Sequence, residues 1–454
     1  MIQDLKTWYK KNSKEILSDY FTFLKFKTIS AKKNNPEMIS CCKWLSEYLK
    51  KIGLKAEIIN TPVYPLVYGE MILDKKLPTL MIYGHYDVQP IDPIEQWKTE
   101  PFEPTIVDGE VYARGASDNK GQIFYSMVAL RSLMELNKKL KVNIKFCIEG
   151  DEESSSKGLF SALDSLKDKL KSDYLLVVDF GIPKKDEPAI TLGIRGLTTL
   201  SLEFTGSSND LHSGEHGGLA YNPLRAVCEL LGNLIDENGK VRIEHFYDDV
   251  EKLEKEEIRS YNLDFDVDAY KMAYGMKDIG GEKEFKGLVA NWFRPTVEIN
   301  GIGGGYFNEG FKTVIPSKVQ VKLSARLVPN QDPNKIAKLI KDFLEKKCPK
   351  AIEIKVKQEG GGKALRSKNE SKIAVAASKA YEEVYCKPCK KILAGGSVPV
   401  VAEIVQKIKC EPVMMGTSLP DDNIHAPNEH FGLDRFEMGF LTVARTISLL
   451  GEEK

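Results

Sequence analysis

Several short apolar runs in this chain stop at residues that could hold a metal ion. Residues 79–83 lead to His85 and, two positions on, Asp87. Residues 142–148 lead to Glu149-Gly150-Asp151-Glu152-Glu153. Residues 175–178 lead to Asp179, and residues 412–415 lead through Gly416-Thr417-Ser418 to His425. Asp118 lies in a glycine-flanked loop just before a helix-like stretch that opens at Gln122. Two histidines and three acids (Asp118, Glu153, Asp179) suit a pair of divalent ions sharing one carboxylate. Two such ions about 3.5–4 Å apart polarise a carbonyl and activate a water together. That chemistry also needs a carboxylate that is not a ligand, to take the water's proton and hand it to the leaving amine. The adjacent Glu152 and Glu153 can divide these tasks. Asp87 can fix the His85 imidazole through its second nitrogen. Taken singly, each residue has an ordinary structural use: a hydrogen-bonded histidine, a surface acid pair, a helix cap. Only six histidines exist in the chain, and two of them fall beside acid-rich strand ends.

The elements that position these groups follow from periodicity. Apolar strands alternate with helix-like stretches at 38–52, closed by Gly53, and at 122–136, which predicts an α/β domain with a mainly parallel sheet. Ligands in such sheets bind beyond the carboxyl ends of the strands. From about Arg195 the texture changes. Residues 197–204 alternate, Asn222-Pro223 opens a helix running to about 235, and residues 248–260 read as a solvated surface helix. Residues 318–327 alternate strictly, giving a strand with one wet face, and a helix follows over 334–347. This block predicts an inserted α+β domain over 195–362, with the first domain made of 1–194 and 363–454. Gly360-Gly361-Gly362 is expected as the hinge back, and helices over 371–385 and 434–450 complete the first domain.

Composition narrows the function classes. The chain has 454 residues, and Lys+Arg 65 balances Asp+Glu 65, so no global field draws it to nucleic acid or to an anionic membrane. No stretch reaches the ~18 apolar residues of a membrane span, and the N-terminal stretch lacks the apolar core of a signal peptide. The expectation is a cytoplasmic protein. The eight cysteines are scattered and read as reduced core residues. Cys386 and Cys389 form a lone CxxC, without the second pair or nearby histidine that a zinc site needs. There is no GxxxxGK[ST], and Gly301–Gly305 lacks a nucleotide fingerprint's strand–turn–helix setting.

Seven segments in order, GHYDVQP (84–90), ARGASDNKG (113–121), EGDEES (149–154), NDLHSG (209–214), KTVIPSKV (312–319), ARLVPN (325–330) and GGSVPV (395–400), closely resemble the carnosine dipeptidase branch of the aminoacylase/acetylornithine deacetylase metallopeptidase superfamily. The resemblance spans roughly residues 10–450. It implies His85 and Asp179 on one metal, Glu153 and His425 on the other, and Asp118 bridging them; the ligand types themselves suit zinc, manganese or cobalt without choosing among them. It implies Glu152 as general base and then general acid. His212 would reach a partner subunit's active site and stabilise the oxyanion, making a homodimer through the inserted lid domain part of the mechanism. Arg326, Thr313, Gly396 and Ser397 would hold the substrate carboxylate. The implied activity is hydrolysis of dipeptides or very short peptides with a free C-terminal carboxylate. An N-acyl-amino-acid deacylase or small-peptide carboxypeptidase would use the same metals, and a non-catalytic peptide binder stands outside the enzyme class. Two positions depart from the branch. Asn119 stands where a second Asp usually follows the bridging Asp through a cis peptide, and Gly360-Gly361-Gly362-Lys363 lacks the histidine that often precedes Gly-Gly-Lys.

Overall fold

The computed structural model describes residues 1–452 apart from Leu253 and the side chains of Lys255 and Glu257. The chain forms two compact units: Met1–Leu192 with Ser367–Ile392 and Glu403–Lys454, and Gly193–Arg366 with Leu393–Ala402.

In the first unit, the strands Asn143–Glu149, Thr79–His85, Tyr174–Val177 and Glu411–Met414 lie side by side in that order and run parallel. Nearly every residue in them is buried, as expected for apolar strands covered on both faces. The parallel part occupies the centre of the sheet. Lys55–Ile59 and Leu66–Met71 add antiparallel strands on one side, and Met414 pairs with Thr191 antiparallel on the other. The helix Lys120–Glu135 is buried over almost its whole length, between the sheet and the helices Ile2–Lys25 and Leu433–Glu452. Aromatic rings lock these helices together: Phe124 stacks on Tyr20 at 5.8 Å and meets Tyr48 at 5.2 Å and Phe436 at 6.2 Å. The helix expected over 38–52 is Pro36–Lys51, with Asn35 accepting the Glu37 N–H as its cap.

The second unit is a four-stranded antiparallel sheet in the order Thr296–Gly303, Lys318–Leu327, Gly196–Thr205, Glu353–Gly362. One face is apolar: Leu200, Leu202, Val319, Val321 and Leu323 pack with the helices Pro223–Gly232 and Pro333–Lys347. Arg326 lies in register with Thr296 on one side and Leu197 on the other, on the polar face.

Several sequence expectations are corrected. The glycines expected as a hinge at 360–362 are the last rungs of the strand Glu353–Gly362, paired with Thr199–Leu197. Two of them are there for space: a Cβ on Gly361 or Gly362 would meet Pro333 at 2.9 Å or Pro399 at 2.4 Å. Leu393–Ala402, expected in the first domain, belongs to the second unit, where the Arg195 N–H donates to the Gly396 carbonyl at 3.0 Å. The surface helix expected over 248–260 is confined to Lys255–Arg259, and Leu253 lies outside the described residues. All eight cysteines are free, but only Cys41, Cys42, Cys147 and Cys410 are buried.

Candidate active site

Parallel strands in register deliver their last residues to one edge. His85 pairs with Glu149, Tyr83 with Val177, and Val177 with Met414. The chain that leaves each of these strands therefore carries Glu152-Glu153, Asp179 and His425 to the same rim. Asp118 arrives there from the loop before the helix Lys120–Glu135, beside that helix's free N–H groups.

Two donor sets result, His85 with Asp118 and Asp179, and Asp118 with Glu153 and His425, each with its ligand atoms within 4.8 Å of one another. Asp118 belongs to both and splits its oxygens between them. Its Oδ1 is 3.1 Å from His85 Nε2, and its Oδ2 is 2.9 Å from His425 Nε2. Asp179 Oδ1 lies 3.6 Å from His85 Nε2, and Glu153 Oε2 lies 3.2 Å from His425 Nε2. Among the described residues, no lysine or arginine pairs with Asp118, Glu153 or Asp179. Three crowded carboxylates and two imidazoles with no fixed cation form a donor set that fits two divalent ions.

Of the residues behind this set, the sequence marks Asp87 and Asn119 but not Glu429 or Gln89. Glu429 is fully buried. Its Oε1 accepts the N–H groups of Ser117 (2.9 Å) and Asp118 (3.0 Å), and its Oε2 accepts those of Gly115 (2.8 Å) and Arg114 Nη1 (2.8 Å). One carboxylate thus shapes the whole loop that presents Asp118. The Asp118-Asn119 peptide is cis. The Asn119 side chain ties two ligand strands: its Oδ1 accepts the His85 N–H at 3.1 Å, and its Nδ2 donates to the Val178 carbonyl at 2.5 Å. An ionised Asp could accept the first bond but not donate the second. The Asp87 carboxylate accepts the N–H groups of Glu152 (3.2 Å) and Glu153 (3.1 Å), so it sets the acid pair, while His85 Nδ1 faces both the Asp87 carbonyl (3.1 Å) and its carboxylate (3.4 Å). Gln89 donates to Glu153 Oε2 at 2.7 Å.

Electrostatics match this crowding. Burial raises the pKa of Glu152 well above its ordinary value; the His85 charge opposes the rise, and the charges of Asp179, Glu149 and Glu153 add to it. Burial likewise raises Glu153 and Asp179. For Asp118 burial pulls upward, but hydrogen bonds from His425 and His85 win and hold its pKa below the usual range. His425 is pushed up to about 10 by its hydrogen bonds to Asp118 and Glu153. A third acidic group, Glu110, Asp422 and His430, already has its cation: Arg435 reaches Asp422 at 2.6 Å and Glu110 at 2.7 Å.

Residues 81–449 match the family described as Peptidase family M20/M25/M40. The chain belongs to this family. It is 32% identical over 376 residues to the human Beta-Ala-His dipeptidase, covering 82% of this chain and 74% of that protein. It is 30% identical over 423 residues to the Cys-Gly metallodipeptidase dug1 of Schizosaccharomyces pombe, covering 89% and 88%. Among solved structures it is similar to the M20 family metallo-carboxypeptidase Sso-CP2 from Sulfolobus solfataricus, with a TM-score of 0.87, 35% identity, and 96% and 99% of the two chains covered.

The remaining candidate residues of this M20 chain lie in the second unit, in two groups. His212 and Thr313 share a short ribbon: His212 pairs with Val314, and the Ser213 N–H donates to the Thr313 carbonyl at 3.0 Å. His212 is exposed, and its Nδ1 accepts the Gly214 N–H at 3.0 Å. The second group is Arg326, Gly396 and Ser397, in which Arg326 Nη1 donates to Ser397 Oγ at 2.8 Å.

Proposed function

We propose that this M20 chain hydrolyses the peptide bond of dipeptides and very short peptides that end in a free carboxylate. The observation that carries this reading is Asp118 shared between two His–carboxylate sets, with Glu152 beside them and outside both. Two divalent ions held by His85, Asp118, Asp179, Glu153 and His425 would polarise the scissile carbonyl and lower the pKa of a water. Glu152 then removes the water's proton as the new C–O bond forms and returns it to the nitrogen as the C–N bond breaks. Asp87 holds Glu152 at the required place through its backbone N–H. Arg326, with Ser397 at its tip and Thr313 and Gly396 assisting, binds the substrate's C-terminal carboxylate through charge-assisted hydrogen bonds. The names of the human and fission-yeast relatives support dipeptides as the substrate class.

The test is hydrolysis of a dipeptide panel after the protein is stripped of metal and given back Zn²⁺, Mn²⁺ or Co²⁺ separately, with N-acetylated and C-amidated versions of each peptide. Cleavage should return with metal and disappear on C-amidation. Turnover of acetylated amino acids alone would replace the reading with a deacylase. The likeness to the Sulfolobus metallo-carboxypeptidase favours a second reading, in which tripeptides and longer peptides in the same panel lose their C-terminal residue.

His212 is the oxyanion donor in this reading, supplied to the site of a second copy in a homodimer formed through the second unit. Its exposure and its place on a glycine- and serine-bracketed ribbon support that role. His212→Ala is expected to lower kcat about a hundredfold while sedimentation still reports a dimer. Wild-type activity in a verified monomer would remove the shared-site idea. No helix among the described residues is long and apolar enough to cross a membrane, and the reading places the enzyme in the cytoplasm.

A further inference from the structure

Arg195 is 5% exposed, and among the described residues no acidic side chain lies within ion-pair distance of it. Its Nη2 donates to Thr296 Oγ1 at 2.8 Å, and its buried Nε–H has no acceptor. Burial, and then repulsion from Arg326, bring its pKa down to about 10, with the charge of the exposed Glu298 pulling the other way. Arg326 is itself half-buried without an acidic partner, and burial lowers its pKa too. Two neighbouring guanidiniums, neither in an ion pair and only one of them offset, by the exposed Glu298, are costly unless an anion completes them.

Thr296, the residue that holds Arg195, is also the ladder partner of Arg326 and lines a cavity of about 390 Å³. The polar end of the cavity is Thr296 and Asn291. Asn291 Oδ1 lies where a Cβ on Gly395 would sit, at 2.6 Å, so the cavity wall meets the loop that carries Ser397. The rest of the wall is apolar, formed by Phe265, Tyr270, Met276 and Leu288. The two guanidiniums lie just beyond Thr296 at the polar end, and the wall at the other end is apolar, which matches an amino acid with a free carboxylate and a hydrophobic side chain.

We propose that Arg195 is the second guanidinium of a subsite for the substrate's C-terminal residue, with the carboxylate between Arg326 and Arg195 and an apolar side chain in the adjoining cavity. The proposal rests on the dipeptidase reading and names its substrate class: dipeptides ending in residues such as leucine or phenylalanine. Each methylene buried there is a factor of about four in affinity.

The test uses the full-length, metal-restored protein with Ala-Leu, Ala-Gly and Ala-Asp. Wild-type KM should be at least about tenfold lower for Ala-Leu than for the other two. Arg195→Met should raise KM for all three about tenfold or more, the size of a lost charged hydrogen bond, with kcat changed less than about threefold, and Arg195→Lys should recover part of the loss. Ala290→Phe, which fills the cavity, should raise KM for Ala-Leu about tenfold and leave Ala-Gly within about twofold. Thermal melting checks that each variant folds, and Arg195→Lys carries the test if Arg195→Met does not. A preference for Ala-Gly or Ala-Asp, an unchanged KM in Arg195→Met, or an equal effect of Ala290→Phe on all peptides overturns the proposal. So does an Ala290→Phe effect confined to oligomeric mass, which would give the cavity to a second copy. If no dipeptide is cleaved, the dipeptidase reading fails alone, and calorimetry decides the subsite. Leucine should bind the wild type, leucinamide and glycine should bind at least about tenfold more weakly, and Arg195→Met should abolish the difference.

Discussion

Glu152→Gln should lower kcat about a thousandfold while the protein keeps both metal ions and its KM. The amide matches the carboxylate in shape but cannot accept the water's proton, and general-base catalysis contributes about 10²–10⁴-fold. Glu152 lies outside both donor sets, so its charge is not needed to hold a cation. Its backbone N–H remains bonded to Asp87 in the variant, so the turn that carries Glu153 should survive. The pH profile gives a second readout. A base works only when deprotonated, and burial together with the charges of Asp179, Glu149 and Glu153 raises the Glu152 pKa. Wild-type kcat/KM should therefore rise with pH as Glu152 loses its proton and fall as it regains it, with the two bound cations drawing that transition down from its metal-free position. The residual activity of Glu152→Gln should lack this acid limb. Metal analysis and steady-state kinetics on one preparation decide the matter: near-wild-type kcat with two ions bound would move the base elsewhere.

Asp118→Ala should cost more, because it removes a ligand from both sets at once. We expect bound metal to fall below one ion per chain after dialysis, and kcat/KM to fall by about four orders of magnitude or more. Changing an outer partner of a metal ligand already costs about 10–100-fold in affinity or activity. The metal-free protein offers an independent check. His425 is held protonated up to about pH 10 by its hydrogen bonds to Asp118 first and Glu153 second. That raised pKa contributes stability that is fully present below the unfolded-state value of about 6.5 and is lost as pH rises toward 10. Without Asp118 the His425 titration followed by NMR should move down toward its ordinary value, and the alkaline loss of stability should shrink. Because protons and cations compete for these imidazoles, metal affinity should climb with pH in the wild type. Retention of two tightly bound ions by Asp118→Ala would show that the sets do not share this carboxylate.

The parts of this molecule that could be read from its sequence are those where a single periodic rule acts. Residues 175–178 are an unbroken apolar run, and 79–83 and 142–148 are mostly apolar, interrupted by Thr79, Asn143 and Lys145, because both faces of a central parallel strand are covered. The polar residue that ends each run is therefore conspicuous, and His85, Glu152, Glu153 and Asp179 stand out for this reason. The strict alternation of Lys318–Leu327 gave the second unit's sheet and put Arg326 on its polar face. Glu429 gives no such signal. It sits in an irregular loop, and its four donors come from residues 114–118, more than three hundred positions away in the chain. Arg195 begins a region of changed texture, but nothing in its neighbours says that its charge is buried and unpaired. The glycines at 360–362 misled because a triple glycine reads as flexibility, whereas here it makes room for Pro333 and Pro399 against a paired strand.

The dependence of Asp118 on Glu429 also sets a schedule for the ribosome. Four of the five candidate ligands lie before residue 180, so a nascent chain carries them early. The fifth ligand, His425, and the carboxylate that shapes the Asp118 loop both emerge near the end. At about 5–20 residues per second, the stretch from Asp179 to His425 takes roughly 12–50 s to translate. Throughout that interval the chain has neither a finished metal cradle nor a fixed Asp118. Peptide hydrolysis is thus expected to be withheld from unfinished chains, and a chain truncated anywhere before residue 429 should be inert in a dipeptide assay.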